Sequence, residues 1–367
     1  MRWISLQLIN DKIKNLPSTP GVYLMKDSQG AIIYVGKSKN LKSRVQSYFY
    51  QSKAHSRKVE KLVKTLKDFD YIETDTEFEA FMLECHLIKE LKPYFNKLMK
   101  NPRSYAYIVI RRDEAIPRIE VCHNMSRKNK DHLCFGPYTS KSTAEKAIAG
   151  LKDCYKINCN SFKGKNSPCL NYTIGLCIGM CQGGDALINY HSIINKLIAL
   201  LNGSNSFLLE EMKERMVTAA ESYDFETAAT YRNSINYMNT LIHKERIIDF
   251  TEENHNIVML ERIDGDRNKL FYVKRNEVLF SETYGNTKEN SEFVTLISAN
   301  IMKYFHSPIT DEELTPNEID EAQIIYNYMK SNNCSYIIIQ DSWLESESLI
   351  KKEVRKLVSK RKKSCMP

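Results

Sequence analysis

Two short apolar runs near the start of the chain, GVYLM (21–25) and AIIYVG (31–36), are separated by KDSQG. The runs have strand length and composition, and Asp27 and Gly30 supply turn chemistry between them. A helix should begin near Ser38 or Asn40, both good N-caps, and run to about Tyr48, with Leu41, Val45 and Phe49 on one core-facing stripe. A second helix is expected over about 56–67 and a third strand at FDYIET (69–74). A longer helix follows from Glu77 to Lys92, where Phe78, Phe81, Met82, Cys85 and Ile88 form an apolar stripe and Pro93 stops it. Residues 12–99 thus read as one compact α/β unit.

Further along, YAYIVIRR (105–112) and RIEVCHN (118–124) look like a strand pair, FGPYTS (135–140) a Gly-Pro turn, and about 142–151 a helix. Residues 154–184 are rich in Cys, Gly and Asn and have no periodicity. Helical patterns return at 187–201 and from Phe207 to about Ile242. The remainder alternates strand-like runs (NIVMLERI, KLFYVKR, EVLFSETY, YIIIQD) with helical ones at 291–305, 317–331 and 343–360. The fold class is α/β (α+β). The expected domains are 12–99, a Cys-rich region at 100–200, a helical hairpin at 205–240 and an α/β region at 250–367.

The 53 Lys and Arg against 45 Asp and Glu leave a net charge of +8, which permits a polyanionic partner without requiring one. No apolar run reaches the roughly 20 residues that span a bilayer, and MRWISLQLINDKIKNLPSTPG is too polar after Leu8 for a signal peptide. A cytoplasmic location without membrane association is expected. There the ten cysteines are core residues or ligands and not structural disulfides.

Within 21–49, Tyr23, Tyr34, Lys37, Arg44 and Tyr48 do not serve the core. Arg44 and Tyr48, at i and i+4, share a helix face. Lys37 falls at the strand-to-helix turn, near backbone N–H groups that favour an anion, and Gly36 lets another group approach the backbone there. Phenols, an ammonium and a guanidinium converging on one spot suit a phosphate. Glu84, at the margin of its helix's apolar stripe, is a natural ligand for a hard divalent cation. A solvated basic face with ordinary strand tyrosines fits the same spacing.

GVY (21–23) followed by YVG (34–36) resembles the signature of the GIY-YIG nuclease superfamily. Arg44 matches that family's arginine and Glu84 its metal-binding glutamate. Lys37, Tyr48 and Asn96 match further positions of its UvrC subgroup, as do the stretches NLPSTPGVYLMKD and FMLECHLIKELKPYFN. The resemblance implies hydrolysis of a DNA phosphodiester with one Mg²⁺ or Mn²⁺. Tyr34 would be the general base, assisted by Lys37. Arg44 would hold the scissile phosphate and Glu84 the metal. Tyr23 and Tyr48 would position these groups, and Asn96 would support the site by hydrogen bonding.

Cys159, Cys169, Cys177 and Cys181 lie in a segment with few apolar residues to bury them, so four thiolates holding zinc or an iron–sulfur cluster is the favoured reading. Spacing does not separate the two metals. FGPYTS and PCLNYTIGLCIGMC are similar to UvrC, which implies a [4Fe–4S] cluster with Zn²⁺ as the alternative, and Cys154 competes with Cys159 for the first ligand position. In FLLEEMKERMVTAAESYDFETAATYRNSI (207–235), Phe225, Ala228, Ala229 and Arg232 recur at helical spacing, as in any αα-hairpin. YDFETAATYRNSI resembles the UVR motif, which implies docking onto UvrB.

Family members carry an RNase H-like nuclease and a helix-hairpin-helix module in their second half. Only the segment introducing that half is discernible here, so the expected activity is the 3′ incision of damaged double-stranded DNA presented by UvrB. A non-catalytic adaptor that binds UvrB and DNA is the alternative. A mobile-element or restriction nuclease would need neither the four cysteines nor the hairpin.

Overall fold

A computed structural model describes residues 9, 11–49, 56–100, 105–112, 116–123, 132–159, 168–264, 267–285, 290–305, 314–331 and 333–363. The chain forms two compact units. One joins Met1–Pro102 to Glu253–Thr310 and Asp320–Pro367; the other holds Arg103–Glu252 and Asp311–Ile319.

The first unit begins with β1 (Gly21–Lys26) and β2 (Ile32–Ser38), followed by α1 (Leu41–Ser47), α2 (Arg57–Thr65), β3 (Asp68–Glu73) and α3 (Glu77–Leu91). The strands form an antiparallel sheet in the order β2-β1-β3. β1 is its centre and is buried on both faces, which its alternation explains. Tyr23 and Met25 face Leu41, Val45, Leu62 and Phe69. Val22 and Leu24 face Ala80 and Ile88 of α3. Asn40, not Ser38, caps α1, its side chain accepting from the Ser43 N–H at 2.9 Å. Lys37 therefore belongs to β2 and not to the turn before the helix. The start of α3 is fixed by a capping box: Thr76 Oγ1 accepts from the Glu79 N–H, and the Glu79 carboxylate accepts from the Thr76 N–H.

The same unit contains β7 (Asn256–Arg262), β8 (Arg267–Lys274), β9 (Glu277–Gly285), α8 (Asn290–Tyr304), α9 (Ile319–Lys330), β10 (Cys334–Ile339) and α10 (Glu347–Lys363). The sheet is antiparallel in the order β10-β7-β8-β9. Val258, Leu260, Leu270 and Tyr272 pack on Ile297, Ile301, Ile350 and Val354. Phe271, on the opposite face, meets Phe78 of α3 edge-on at 4.9 Å, and Tyr328 of α9 lies 5.0 Å from the same ring. Lys269 Nζ bridges Asp75 (2.7 Å) and Glu79 (2.9 Å), and Lys89 pairs with Glu321. The residues read as one apolar stripe on α3 therefore serve separate surfaces. Phe78 faces the C-terminal sheet and α9, while Ile88, with Ala80, faces the N-terminal sheet. Phe81 is only partly buried.

The second unit places β4 (Ala106–Arg111), β5 (Arg118–Cys122) and β6 (His132–Tyr138) in the order β5-β4-β6, beside α4 (Lys141–Cys154), α5 (Gly184–Leu201), α6 (Phe207–Glu221) and α7 (Phe225–Glu252). Ile108, Ile110, Ala147, Leu151, Leu197 and Met238 share its core. Two readings of the sequence are corrected here. FGPYTS is not a turn: β6 runs through Tyr138, because a register shift opposite Ala106–Ile108 makes a bulge that accepts Gly136 (φ 113°) and the N–H-less Pro137. α7 continues past Ile242 to Glu252, since Ile247, Ile248 and Thr251 are buried on its later turns.

Candidate active site

The polar groups singled out between Tyr23 and Asn96 gather around β2. Tyr23 rises from β1 directly across from Gly36 of β2. A Cβ at Gly36 would lie 2.3 Å from the Tyr23 phenol oxygen, so the missing side chain makes room for that ring. The Tyr23 and Tyr48 hydroxyls are 2.8 Å apart, and the Tyr34 ring stands 6.1 Å from Tyr23. The Arg44 guanidinium lies 5.3 Å from the Tyr48 ring centre. Asn96 clips β2 from behind: its Oδ1 accepts from the Val35 N–H and its Nδ2 donates to the Val35 carbonyl, both at 2.9 Å.

α3 supplies the acid. Glu84 Oε1 accepts from the Lys37 backbone N–H at 3.0 Å, and its other oxygen carries no hydrogen bond among the described residues. Burial raises the Glu84 carboxyl, against the pull of the Lys37 N–H and the charges of Lys37 and Arg44. Burial also lowers the Lys37 ammonium, opposed by Glu77 and Glu84. Tyr34 is pushed up to about 12, first by burial and then by Tyr48 and Glu84, with Arg44 pulling down. A half-buried carboxylate with one oxygen uncommitted, among phenols and cations, fits a hard divalent ion that keeps most of its waters.

Glu77 and Phe81 were not read as site residues, yet Lys37 Nζ sits 3.7 Å from Glu77 Oε1 and 3.3 Å from the centre of the Phe81 ring. A signal existed. Glu77, Phe81 and Glu84 are spaced i, i+4 and i+7, and the Thr76-x-x-Glu79 box sets the phase of that face.

In the second unit, the sulfurs of Cys159, Cys169 and Cys177 lie within 4.8 Å of one another, all buried, and the Gly179 N–H donates to Cys177 Sγ at 3.3 Å. Three clustered thiols with a backbone N–H aimed at one of them fit a thiolate-bound metal. Cys181 is buried on the neighbouring 3₁₀ turn Met180–Gln182 but stands outside the trio. Cys154 faces away, its thiol 3.6 Å from Ser234 Oγ. On the α6–α7 hairpin, Phe225, Ala228, Ala229 and Arg232 line an open groove of about 560 Å³ with Met216 and Ala220 instead of filling a core, and Phe225 is 66% exposed.

Residues 19–97 match the UvrC-like GIY-YIG domain, and residues 105–200 match the middle domain of the UvrC/Cho excinuclease. The UvrABC system protein C of Alkaliphilus oremlandii is 32% identical over 342 residues, 90% of this chain and 55% of that protein. The chain belongs to the UvrC family. The UvrC homologue of Clostridium acetobutylicum is 36% identical over 302 residues, covering 81% of this chain and 48% of its own. The chain thus spans about half the length of the curated UvrC relatives it matches. The chain is also similar to a crystal structure of the GIY-YIG N-terminal endonuclease domain of UvrC from Thermotoga maritima, bound to its catalytic divalent cation, magnesium. That domain is 36% identical, with a TM-score of 0.23, and covers 25% of this chain and 98% of its own.

Proposed function

We propose that this chain is a metal-dependent DNA endonuclease of nucleotide excision repair that makes the 3′ incision at damaged duplex DNA presented by UvrB. The observation that carries the reading is the uncommitted Glu84 oxygen beside Tyr34, Lys37 and Arg44 in one half-buried site. Glu84 would hold Mg²⁺ or Mn²⁺. Bound there, the ion supplies positive charge that offsets Glu84, eases loss of the Tyr34 proton and balances charge on the leaving oxygen. Arg44 binds the scissile phosphate by its planar fork and meets the charge that grows on it in the transition state. Tyr34, as its phenolate, takes the proton of the attacking water; the Arg44 charge favours that phenolate, and Lys37 assists. The Tyr23–Tyr48 hydroxyl pair holds the Arg44 end of the site. Asn96 keeps β2, and with it Tyr34 and Lys37, at a fixed height above Glu84.

The cysteine segment would carry a [4Fe–4S] cluster on Cys159, Cys169, Cys177 and Cys181, and the groove of the α6–α7 hairpin would receive UvrB. The protein would act in the cytoplasm. The test is incision of an end-labelled duplex bearing one bulky adduct, with UvrA, UvrB, ATP and Mg²⁺ supplied. A 3′ cut is expected, abolished by Tyr34→Phe and by Glu84→Ala while UvrB binding survives. UvrB binding without any cut would favour the adaptor instead. Undiminished cutting by either variant refutes the site. Visible absorption of anaerobically purified protein separates a cluster from Zn²⁺.

A further inference from the structure

Lys37 touches α3 at two chemically different points. Its backbone N–H goes to Glu84, but its ammonium does not follow. The side chain runs instead toward the N-terminal end of α3, where Nζ lies 3.3 Å over the Phe81 ring and 3.7 Å from Glu77 Oε1. The Lys37 side chain is only 28% exposed and Glu77 only 23%, so the ammonium has lost much of its water and draws on these groups in its place. Phe81 is itself fixed from behind, because the Tyr328 ring of α9 meets it edge-on at 6.3 Å. Tyr328 in turn donates to Glu261 Oε1 of β7 at 2.5 Å. The C-terminal sheet and α9 thereby reach Lys37 through one aromatic ring.

We propose that Glu77 and Phe81 are positioning residues that hold the Lys37 ammonium away from Glu84, with Tyr328 fixing the Phe81 ring. The consequence is chemical. A lysine released from this clamp is left with Glu84, whose charge already acts on it, and an ion pair there would occupy the oxygen left for the metal. The clamp keeps both charges in the site while preventing them from quenching each other. This inference rests on the metal-dependent nuclease reading only for its consequence; the placement of Lys37 can be read without any cutting.

The test uses the full chain with ¹³C,¹⁵N-labelled lysine, Lys37 being assigned by comparison with Lys37→Met. The Lys37 ε-methylene protons should be shifted upfield by the Phe81 ring current. That shift should vanish in Phe81→Leu, persist in Phe81→Tyr and weaken in Tyr328→Leu. Mn²⁺ titration followed by electron paramagnetic resonance gives the second readout. Glu77→Gln should weaken Mn²⁺ binding about fivefold, a change of roughly 1 kcal/mol. The double variant Lys37→Met with Glu77→Gln should restore it, because no lysine remains to fall onto Glu84. If the two charges acted on the metal only through space, the effects of Glu77→Gln and Lys37→Met on Mn²⁺ affinity would simply add; the clamp instead requires that Glu77→Gln has little effect once Lys37 is Met, and additive effects overturn the proposal. So does an absent upfield shift, or one indifferent to Phe81→Leu. A protein with the shift and the Mn²⁺ behaviour but no incision supports the clamp and refutes the nuclease reading separately.

Discussion

A single methyl group added at Gly36 should disable the site. Gly36 and Tyr23 are Cα partners across β1 and β2, and an added Cβ would meet Tyr23 Oη at 2.3 Å, Cζ at 2.4 Å and Cε2 at 2.9 Å. Carbon atoms rest about 3.5–4.0 Å apart, so the ring must retreat by more than about 1 Å. It has little freedom to do so. Tyr23 is 1% exposed, and its ring packs 5.9 Å from Tyr48 and 6.1 Å from Tyr34. Overpacking a tight core costs about 1–3 kcal/mol, and loss of the 2.8 Å Tyr23–Tyr48 hydroxyl bond adds about 1 kcal/mol. The sum, about 2–4 kcal/mol, corresponds to a fall in Tm of roughly 5–15 °C for a unit of this size. Gly36→Ala measured by scanning calorimetry and by incision of adduct-bearing DNA should show both the drop and a loss of cutting. Tyr23→Phe in the same background removes Oη but leaves Cζ, so it should restore only part of the stability. A Gly36→Ala protein with parental Tm and activity would refute this account of the glycine.

Other predictions concern separate contacts. Glu261 is raised from 4.5 to about 7, mainly by burial, so the folded state holds its proton more tightly than the unfolded one. Its contribution to stability therefore falls as pH rises from about 4.5 to 7 and stays lost above that, and Glu261→Gln should gain about 3 kcal/mol at pH 8 and little at pH 4. Melting curves across that range check the sign. Asn96→Ala strips two hydrogen bonds from the Val35 backbone and should cost about 2–4 kcal/mol, with faster hydrogen exchange at the Val35 amide as the local readout. Cys159→Ser and Cys177→Ser should each lower the metal content of anaerobically purified protein, whereas Cys154→Ser, whose thiol faces Ser234, should leave it intact by elemental analysis.

Much of the N-terminal fold was legible because its signals are local. Turn chemistry at Asp27 and Gly30 joins β1 to β2, Asn40 caps α1, and the box at Thr76 opens α3. The candidate site was legible for a different reason. Lys37, Arg44 and Glu84 have no core role that their charge would fit, and family resemblance gave them one. Tyr23 and Tyr48, read from the sequence as outside the core, are in fact buried in it, with Tyr34 packed alongside, because their rings are apolar and their hydroxyls pair with each other. Phe81 was misjudged because an apolar residue on a helix reads as core by default, and nothing local reports that its ring faces an ammonium. FGPYTS was misjudged because Gly-Pro signals a turn in isolation. Its pairing with β4 is a long-range fact.

The sequence alone determined the periodicities, the caps and the identity of the charged and phenolic groups, since these depend on neighbours a few residues away. Tertiary structure decided which groups meet. It seated Tyr23 in the space left by Gly36, chose Cys159 over Cys154 beside Cys169 and Cys177, and set α3 between two sheets contributed by distant parts of the chain. Helical periodicity fixes the direction in which a side chain leaves its helix. What waits there, whether core, ammonium or a second sheet, is fixed only when the chain closes on itself.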